Sequence, residues 1–175
     1  MAEYQFCKAR QEDAEQIVSL VNSAYRGEAS RAGWTTEADL LDGLRTDMAE
    51  IRHLLADESN ILLVCKLKDT ILGSVHLQRA KPCVEIGMFA VYPLRQAVGI
   101  GKQLLSQAER VACQHWNIDR SRMSVLSCRH DLLAFYRRRG YYPIDDYKPF
   151  PQDAALWTPK VENLQFIRLE KILQP

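Results

Sequence analysis

The feature that most constrains the fold is a β-rich run that leads, through a proline, into a helical pattern opened by two closely spaced glycines. Residues 84–91 read Val-Glu-Ile-Gly-Met-Phe-Ala-Val, Pro93 follows, and Gly99 and Gly101 begin the helical pattern. A helix that starts in this way leaves its first backbone N–H groups without partners, at the positive end of the helix dipole. Because glycine allows another molecule to approach the backbone closely, the turn predicts a seat for a pyrophosphate group.

Spacing excludes two familiar nucleotide-binding turns. A Rossmann fingerprint needs a third glycine at the position of Leu104, and a Walker A loop needs glycine and Ser or Thr at the positions of Gln96 and Gln103. What remains is a Gln-x-x-Gly-x-Gly turn after a strand and a proline. On these residues alone two interpretations stay open: a phosphate site, or a connection between a strand and a helix that binds nothing.

This turn resembles the coenzyme-A-binding segment of the GNAT superfamily of N-acetyltransferases, and the resemblance extends over residues 60–142. Residues 134–141, Ala-Phe-Tyr-Arg-Arg-Arg-Gly-Tyr, are similar to the family's segment of a tyrosine, three residues and Gly-Phe or Gly-Tyr. Upstream, Glu85 stands in a strand similar to the one that carries the general-base glutamate in several members. The sequence departs from the family at Arg129, where an asparagine often stands seven residues before the tyrosine.

The resemblance implies an α+β fold of the GNAT (acyl-CoA N-acyltransferase) type, with a mixed central β-sheet splayed between strands 4 and 5 and flanked by helices. We expect one domain over residues 1–175. The spacing of apolar residues also predicts the individual elements. Strands are predicted at 4–8, 61–67, 70–77, 84–91, 123–126, 141–143 and 164–169. Helices are predicted at 13–25, 36–57 (a break near Gly43 is left open), 99–116 and 131–139, with a loop over 145–159.

The resemblance further implies that acetyl-CoA is the cosubstrate. Backbone N–H groups from Val98 to Lys102 would hold its pyrophosphate, and the free edge of Phe89 to Val91 would pair with the pantetheine arm. An N–H on the same edge, near Phe89, would stabilise the oxyanion. The expected cofactor-binding residues are Phe89, Ala90, Val91, Gln96, Ala97, Val98, Gly99, Ile100, Gly101 and Lys102.

Two catalytic residues follow from the same resemblance. Tyr136 is the candidate acid that protonates the leaving thiolate, and its alternative is a core aromatic beside Phe135. Glu85 is the candidate base, and its alternative is a structural ion pair or a solvated residue. Because four strand residues separate Glu85 from Phe89, about 13 Å, a base at Glu85 would need a chain of water molecules.

Other reactive side chains give weaker patterns. The five cysteines are an odd number without a C-x-x-C pair, so we expect reduced thiols and a cytoplasmic location, with Cys128 a buried bystander. The four histidines have no ligand spacing, and no metal is expected. Residues 137–139 form an arginine run that either reaches the 3′-phosphate of coenzyme A or complements the helix dipole at the surface.

The expected partner is an amine acceptor: a small molecule, a peptide or a protein. The net charge of +1 gives no general attraction to nucleic acid or anionic membrane, and no apolar run is long enough to span a bilayer. An acidic and aromatic set either binds the acceptor or is ordinary helix surface; it comprises Tyr25, Glu28, Trp34, Glu37, Asp39 and Asp42. A homodimer through the C-terminal strand is a further expectation.

The resemblance therefore implies acetyl transfer from acetyl-CoA to a primary amine by direct attack in a ternary complex. Two alternatives stay open. The chain would instead be a non-catalytic acyl-CoA-binding module or sensor that keeps the fold. Or it would use another acyl donor such as succinyl-CoA, which an arginine near the acyl group would accommodate.

Overall fold

The computed structural model describes residues 3–151 and 155–174, and these ranges contain both strands and helices. The strands are β1 Gln5–Lys8, β2 Leu41–Gly43, β3 Asn60–Leu67, β4 Thr70–Ala80, β5 Cys83–Val91, β6 Arg120–Leu126, β7 Tyr142–Pro149, β8 Trp157–Pro159 and β9 Gln165–Ile172. The helices are α1 Ala14–Tyr25, α2 Gly27–Ser30, α3 Met48–Ala56, α4 Ile100–Trp116 and α5 His130–Arg137.

Seven strands form one central sheet in the order β1-β3-β4-β5-β6-β9-β7, and β2 and β8 form a small separate ribbon. Every neighbouring pair in the central sheet is antiparallel except β5 and β6, which are parallel and joined by α4. A parallel connection needs such a crossover helix, as the alternation of strand, helix and strand in the sequence predicts. The mixed α+β architecture is confirmed.

The sheet separates between β5 and β6, which are the fourth and fifth strands predicted from the sequence. The two strands pair only through Val84 with Ser121 and Glu85 with Arg122. Further along, β5 contains a β-bulge. Ser74 pairs with Ala90 and His76 with Gly87, so two steps along β4 correspond to three steps along β5. Met88 inside the bulge has a positive φ of 41°. Because a bulge bends its strand, the second half of β5 leaves β6 and keeps one free edge.

Helices cover both faces of the sheet, and β3 shows why. Along β3, Ile61 and Leu63 belong to the apolar cluster that contains α4, whereas Leu62 and Val64 belong to the cluster that contains α1 and α3. Successive strand residues point to opposite faces, so a strand buried on both sides must be apolar throughout. Each of these side chains contributes about 1.5–3 kcal/mol by leaving water.

The predicted helix over 36–57 is wrong in its first half. Leu41–Gly43 forms β2, paired with β8, and Gly43 has a positive φ of 89° that a helix does not permit. The helix begins only at Met48, where the Asp47 carboxylate accepts a hydrogen bond of 2.8 Å from the Glu50 N–H. The leucines that suggested one long stripe belong to two structures: Leu41 packs with Phe150, not with α3.

The predicted loop over 145–159 is largely extended structure. β7 continues to Pro149 along β9, and Trp157–Pro159 forms β8; residues 152–154 of that prediction lie outside the described residues. β7 is an edge strand, where charged residues and proline are tolerated, so its composition imitates a loop. The C-terminal strand β9 is paired on both sides, by β6 and β7, so the expected dimer contact through it has no free edge.

Candidate functional site

A cavity of about 360 Å³ lies beside the free edge of β5, and we call it the first cavity. Its walls come from the end of β5, the turn that opens α4, helix α5, and a segment after α1. Of the ten cofactor-binding residues expected from the sequence, the wall contains Phe89, Ala90, Val91, Gln96, Ala97, Gly99, Gly101 and Lys102. The side chains of Val98 and Ile100 lie elsewhere: Val98 is exposed, and Ile100 is buried with Cys65 and Leu72.

The turn before α4 leaves backbone donors free. Ala97 and Gly99 have positive φ values of 66° and 93°, and no side chain caps the helix. The first helical hydrogen bond runs from Gln103 N–H to the Gly99 carbonyl at 3.1 Å, so the N–H groups of residues 100–102 lie before the helical ladder begins. The buried side chain of Ile100 anchors this turn in the core, which fixes the direction of those donors.

Two side chains donate hydrogen bonds to backbone carbonyls on the free edge of β5. Tyr25 Oη donates a hydrogen bond of 3.2 Å to the Phe89 carbonyl, and Gln96 Nε2 donates one of 3.1 Å to the Val91 carbonyl. Gln96 Oε1 also accepts a hydrogen bond of 2.9 Å from the Trp34 N–H, and the Trp34 ring lies 5.5 Å from that of Phe135. Gln96 therefore ties the segment around Trp34 to β5 across the first cavity.

The first cavity is strongly cationic. Lys102, Arg129, Arg138 and Arg139 line it, and its described wall contains no Asp or Glu. Arg139 donates a hydrogen bond of 2.6 Å to the Phe135 carbonyl while its guanidinium lies 3.4 Å from the Phe135 ring centroid. Of the arginine run 137–139, two residues thus face the cavity and Arg137 does not. This charge distribution suits a ligand with several phosphates.

Tyr136 lies in the wall of the first cavity with 5% of its surface exposed. Its hydroxyl makes no hydrogen bond to the residues that the structure describes, and its ring contacts those of Phe89, Phe135 and Tyr141. Burial raises the pKa of Tyr136 far above its usual value, and nearby Tyr25 raises it further. The hydroxyl therefore stays protonated and can donate a hydrogen bond.

A second cavity of about 280 Å³ lies on the other side of the splayed strands, against β6 and β9. Five residues belong to the walls of both cavities, and we call them the shared wall: Tyr25, Phe89, Arg129, Leu132 and Tyr136. Molecules that entered from the two sides would meet at this wall. Tyr136 borders both cavities.

The second cavity contains a buried triad of charges, Arg26–Glu37–Arg129. The three residues are 6%, 7% and 8% exposed; Arg26 bonds to one oxygen of Glu37 and Arg129 Nη1 to the other at 2.8 Å. Arg129 Nη2 also donates to Thr35 Oγ1 at 2.5 Å. Two positive charges against one negative leave one positive charge in excess. Removing a partner from such a buried pair typically costs about 3–5 kcal/mol.

Arg45 adds a second positive charge to the same cavity. Its guanidinium lies 5.6 Å from the Tyr25 ring centroid, and it forms no ion pair with the residues that the structure describes. Behind it, burial lowers the pKa of His76 to about 4, and the positive charge of Arg45 lowers it as well. His76 is therefore neutral at physiological pH.

Glu85 is not brought to either cavity. It is absent from both described walls. Its Oε1 lies 3.5 Å from Nη2 of Arg168, and Nη1 of the same arginine lies 3.2 Å from the Asp146 carboxylate. Cys83 Sγ lies 3.8 Å from the same carboxylate oxygen. In the structure Glu85 therefore takes part in an ion pair, which is the alternative to a catalytic role that the sequence left open.

Three of the four acidic residues expected near the acceptor lie outside the second cavity, and only Glu37 lines it. Glu28 and Asp39 pair with Arg31 at the surface, and Asp42 lies 3.6 Å from Lys160. Sequence reasoning missed Arg26 and Arg45, because no local pattern distinguishes an arginine that faces a cavity from one that faces water. Arg129 was noticed only as a departure from the family, and it belongs to the shared wall.

The remaining expectations concern thiols, metals and membranes. The five cysteines are free, and Cys128 is exposed, not buried as expected, and lies outside both cavity walls. Within residues 3–151 and 155–174, no three His, Cys, Asp or Glu side chains lie close enough to hold a metal ion. In the same part of the chain, no helix has the length and apolar character needed to cross a membrane.

Comparison with known proteins places this geometry in a family. The model of the acetyltransferase (GNAT) family matches residues 15–141. No curated protein sequence matches the chain at a significant level. Many solved structures share its fold, at identities that establish the fold alone.

Three of these structures match nearly the whole length of this chain. The PaiA N-acetyltransferase from Thermoplasma acidophilum, in complex with coenzyme A, is 17% identical with a TM-score of 0.67, over 97% of this chain and 99% of that one. The IAA acetyltransferase from Bacillus cereus is 16% identical with a TM-score of 0.68, over 98% and 100% of the two chains. The ribosomal-protein-S18-alanine N-acetyltransferase from Escherichia coli is 10% identical with a TM-score of 0.71, over 99% and 96%.

Proposed function

The chain belongs to the acetyltransferase (GNAT) family, and from this premise we propose that it transfers an acetyl group from acetyl-CoA to a primary amine by direct attack in a ternary complex. The observation that carries the proposal is the shared wall, where two cavities of different character meet at a protonated tyrosine. We further propose that residues 1–175 act as one domain.

The first cavity fits coenzyme A in shape and charge. A Cβ atom built on Gly101 would lie 3.5 Å from Phe89 Cζ and 3.9 Å from Phe135 Cζ, so glycine keeps a gap open between these rings and the helix. The N–H groups of residues 100–102 would hold the pyrophosphate, and Lys102 and Arg138 would neutralise phosphate charge. These features are those that a polyphosphate with a narrow amide-rich arm requires.

The edge of β5 would hold the pantetheine arm as an added strand. For this the Val91 carbonyl must exchange its bond with Gln96 for one with the arm. The backbone N–H near Phe89, at the shared wall, would donate to the carbonyl oxygen as negative charge develops on it. Acetyl-CoA supplies a thioester, whose carbonyl carbon is open to attack by a neutral amine.

Tyr136 would act when the carbon–sulfur bond breaks. As the amine nitrogen bonds to the carbonyl carbon, the thiolate leaves with the electron pair and takes the Tyr136 Oη proton. The proton lost by the amine passes to water, and water returns a proton to Tyr136. Because a thiol has a pKa of ~8.5, its thiolate is a fair leaving group, and Tyr136 contributes a moderate factor.

The amine needs a route to its neutral form, and the second cavity provides one without Glu85. Arg26, Arg45 and Arg129 outweigh the single carboxylate of Glu37 there. Like charges disfavour an ammonium ion, so this surplus lowers the pKa of a bound amine and lets it lose its proton to water. We therefore assign no step to Glu85.

The test is thiol release from acetyl-CoA over a panel of amines, with wild type and Tyr136→Phe compared. We expect release that depends on the amine and that is slower in the variant. Tight coenzyme A binding without amine-dependent release in any member of the panel would contradict the enzyme and support the acyl-CoA-binding sensor.

A further inference from the structure

The second cavity is more positive than an ordinary amine site. Among its described lining residues, Arg26, Arg45 and Arg129 are cationic and Glu37 alone is anionic. Both oxygens of Glu37 are already taken by Arg26 and Arg129, and Arg45 has no carboxylate partner in the described part of the chain. The charge left over is positive on the side from which the acceptor must enter.

Three buried N–H groups of this wall lack partners. Arg26 Nε, Arg129 Nε and Trp157 Nε1 make no hydrogen bond to the residues that the structure describes. All three residues line the second cavity, and the two arginines are more than nine-tenths buried. Buried donors in native proteins are nearly always satisfied. These three atoms have almost no accessible surface of their own, so they add unneutralised positive polarity behind the wall, where it favours an anion in the cavity.

Most of the remaining wall is apolar. Met88, Met123, Val125 and Phe166 contribute to it, and Trp157 adds an aromatic ring. The volume of about 280 Å³ corresponds to roughly nine water molecules in the liquid, which suits a small molecule. A ligand for this site therefore combines an anionic hydrogen-bond acceptor with a short apolar group.

We propose that the acceptor amine carries a carboxylate, as an α-amino acid with an apolar side chain does, and that this carboxylate binds Arg45 and the Arg26–Glu37–Arg129 triad. The proposal rests on the acetyl-transfer function above and names its substrate class. A guanidinium holds a carboxylate through paired N–H groups, so the arginines fix the molecule and leave its amine at the shared wall. Polyamines, which add further positive charge, become poor acceptors.

The carboxylate that these arginines bind would also fit the acyl donor in place of the acceptor, because Arg129 lines the first cavity as well. An acyl group that ends in a carboxylate, as succinyl does, would bring the same chemistry to the shared wall from the donor side. The experiment must therefore vary the donor and the acceptor separately.

The test compares phenylalanine, methionine and leucine with their amides, which keep the size and lose the carboxylate. Acetyl-CoA is the donor, and kcat/KM is expressed per neutral amine. We expect each acid to exceed its amide by about tenfold or more. Arg45→Gln should reduce this ratio at least severalfold and Arg45→Lys should restore part of it, whereas Arg52→Gln, an exposed arginine on α3, should leave the ratio unchanged.

Amides that equal or exceed their acids in wild type would overturn the proposal. So would an acid-to-amide ratio that Arg45→Gln does not change. A third arm offers phenylalaninamide with succinyl-CoA or acetyl-CoA; faster transfer of succinyl would assign the arginines to the donor and overturn the acceptor class.

Binding separates this proposal from the proposed function. N-acetylphenylalanine and N-phenethylacetamide are titrated calorimetrically into protein saturated with coenzyme A. If no amine turns over but N-acetylphenylalanine binds and Arg45→Gln weakens it about tenfold, acetyl transfer fails while the carboxylate site stands. Equal binding of the two compounds by wild type, or none of either, overturns the carboxylate site.

Discussion

The two cavities that meet at the shared wall are assembled from the chain in different ways. Most of the first cavity comes from residues 89–102 and 129–139, two short stretches around one helix. The second draws on residues 25, 26, 37, 45, 86–89, 123–126, 129, 132, 136, 150, 151, 157 and 166, from the ends of many elements. A pocket made by one strand-turn-helix unit leaves a motif in the sequence, whereas a pocket made by distant pieces leaves none.

The largest expected effect is at the residue common to both cavities. Tyr136→Phe removes the proton donor but keeps the ring packed against Phe89, so kcat should fall about 30- to 100-fold with little change in KM for either substrate. Steady-state kinetics measure it, with the exposed edge tyrosine Tyr142→Phe as control. An unchanged kcat in Tyr136→Phe would separate the two cavities functionally and break the comparison.

The next effect is a pH dependence of stability at His76, which senses the positive charge of Arg45 in the second cavity. His76 has a pKa of about 4 in the folded chain and 6.5 when free, so the unfolded chain takes up a proton first as pH falls. The contribution of neutral His76 to the free energy of unfolding is fully present above about pH 6.5 and is lost toward pH 4. The loss between pH 7 and pH 5 is up to about 2 kcal/mol.

Urea unfolding at the two pH values measures this decline. His76→Gln keeps a hydrogen-bond donor for Asn60 and should remove most of it. NMR titration should show a higher His76 pKa in Arg45→Gln, because the arginine charge lowers it in wild type. An unshifted His76 pKa in that variant would mean that the charge of Arg45 does not act at this side of the cavity.

A third change affects the first cavity alone. Gly101→Ala improves helix propensity by about 0.5–1 kcal/mol but places a methyl group in the gap beside Phe89 and Phe135. The free protein should melt higher while coenzyme A binds about tenfold more weakly. Gly87→Ala, in the wall of the second cavity only, should leave coenzyme A binding intact. Equal weakening by both variants would contradict the separation of the cavities.

The smallest effect is expected at Glu85. Glu85→Gln removes one part of an ion pair with Arg168 and should cost no more than about 1 kcal/mol of stability. Because the carboxylate lies outside both walls, kcat/KM should change less than about threefold, below what loss of a general base produces. A loss of a hundredfold or more, recovered at high pH, would restore Glu85 as the base.

The sequence predicts the central sheet and the first cavity well because both rest on local patterns. The β-rich runs of β3 and β4, and the glycines at 99 and 101, each specify one conformation within a few residues. The break at Gly43 was left open because nothing local shows that residues 41–43 have β8 as a partner more than a hundred residues away. β7 resembled a loop for a related reason, since edge position permits its prolines and charges.

The second cavity could not be predicted because its net charge depends on side chains from distant parts of the chain that only the fold brings together. Glu37 resembled an acceptor-binding carboxylate in sequence, and in the fold Arg26 and Arg129 surround it. The distance argument along β5 did anticipate that Glu85 would lie far from Phe89. It did not identify Arg168, on β9, as the partner.

Calorimetric titration of the protein with coenzyme A tests the central claim most directly. We predict binding of one molecule per chain at micromolar affinity, roughly 8 kcal/mol, and much weaker binding when the same titration uses pantetheine, which lacks the pyrophosphate and the adenosine 3′-phosphate. Absence of heat with coenzyme A, or equal affinity for pantetheine, would contradict a phosphate seat at the start of α4.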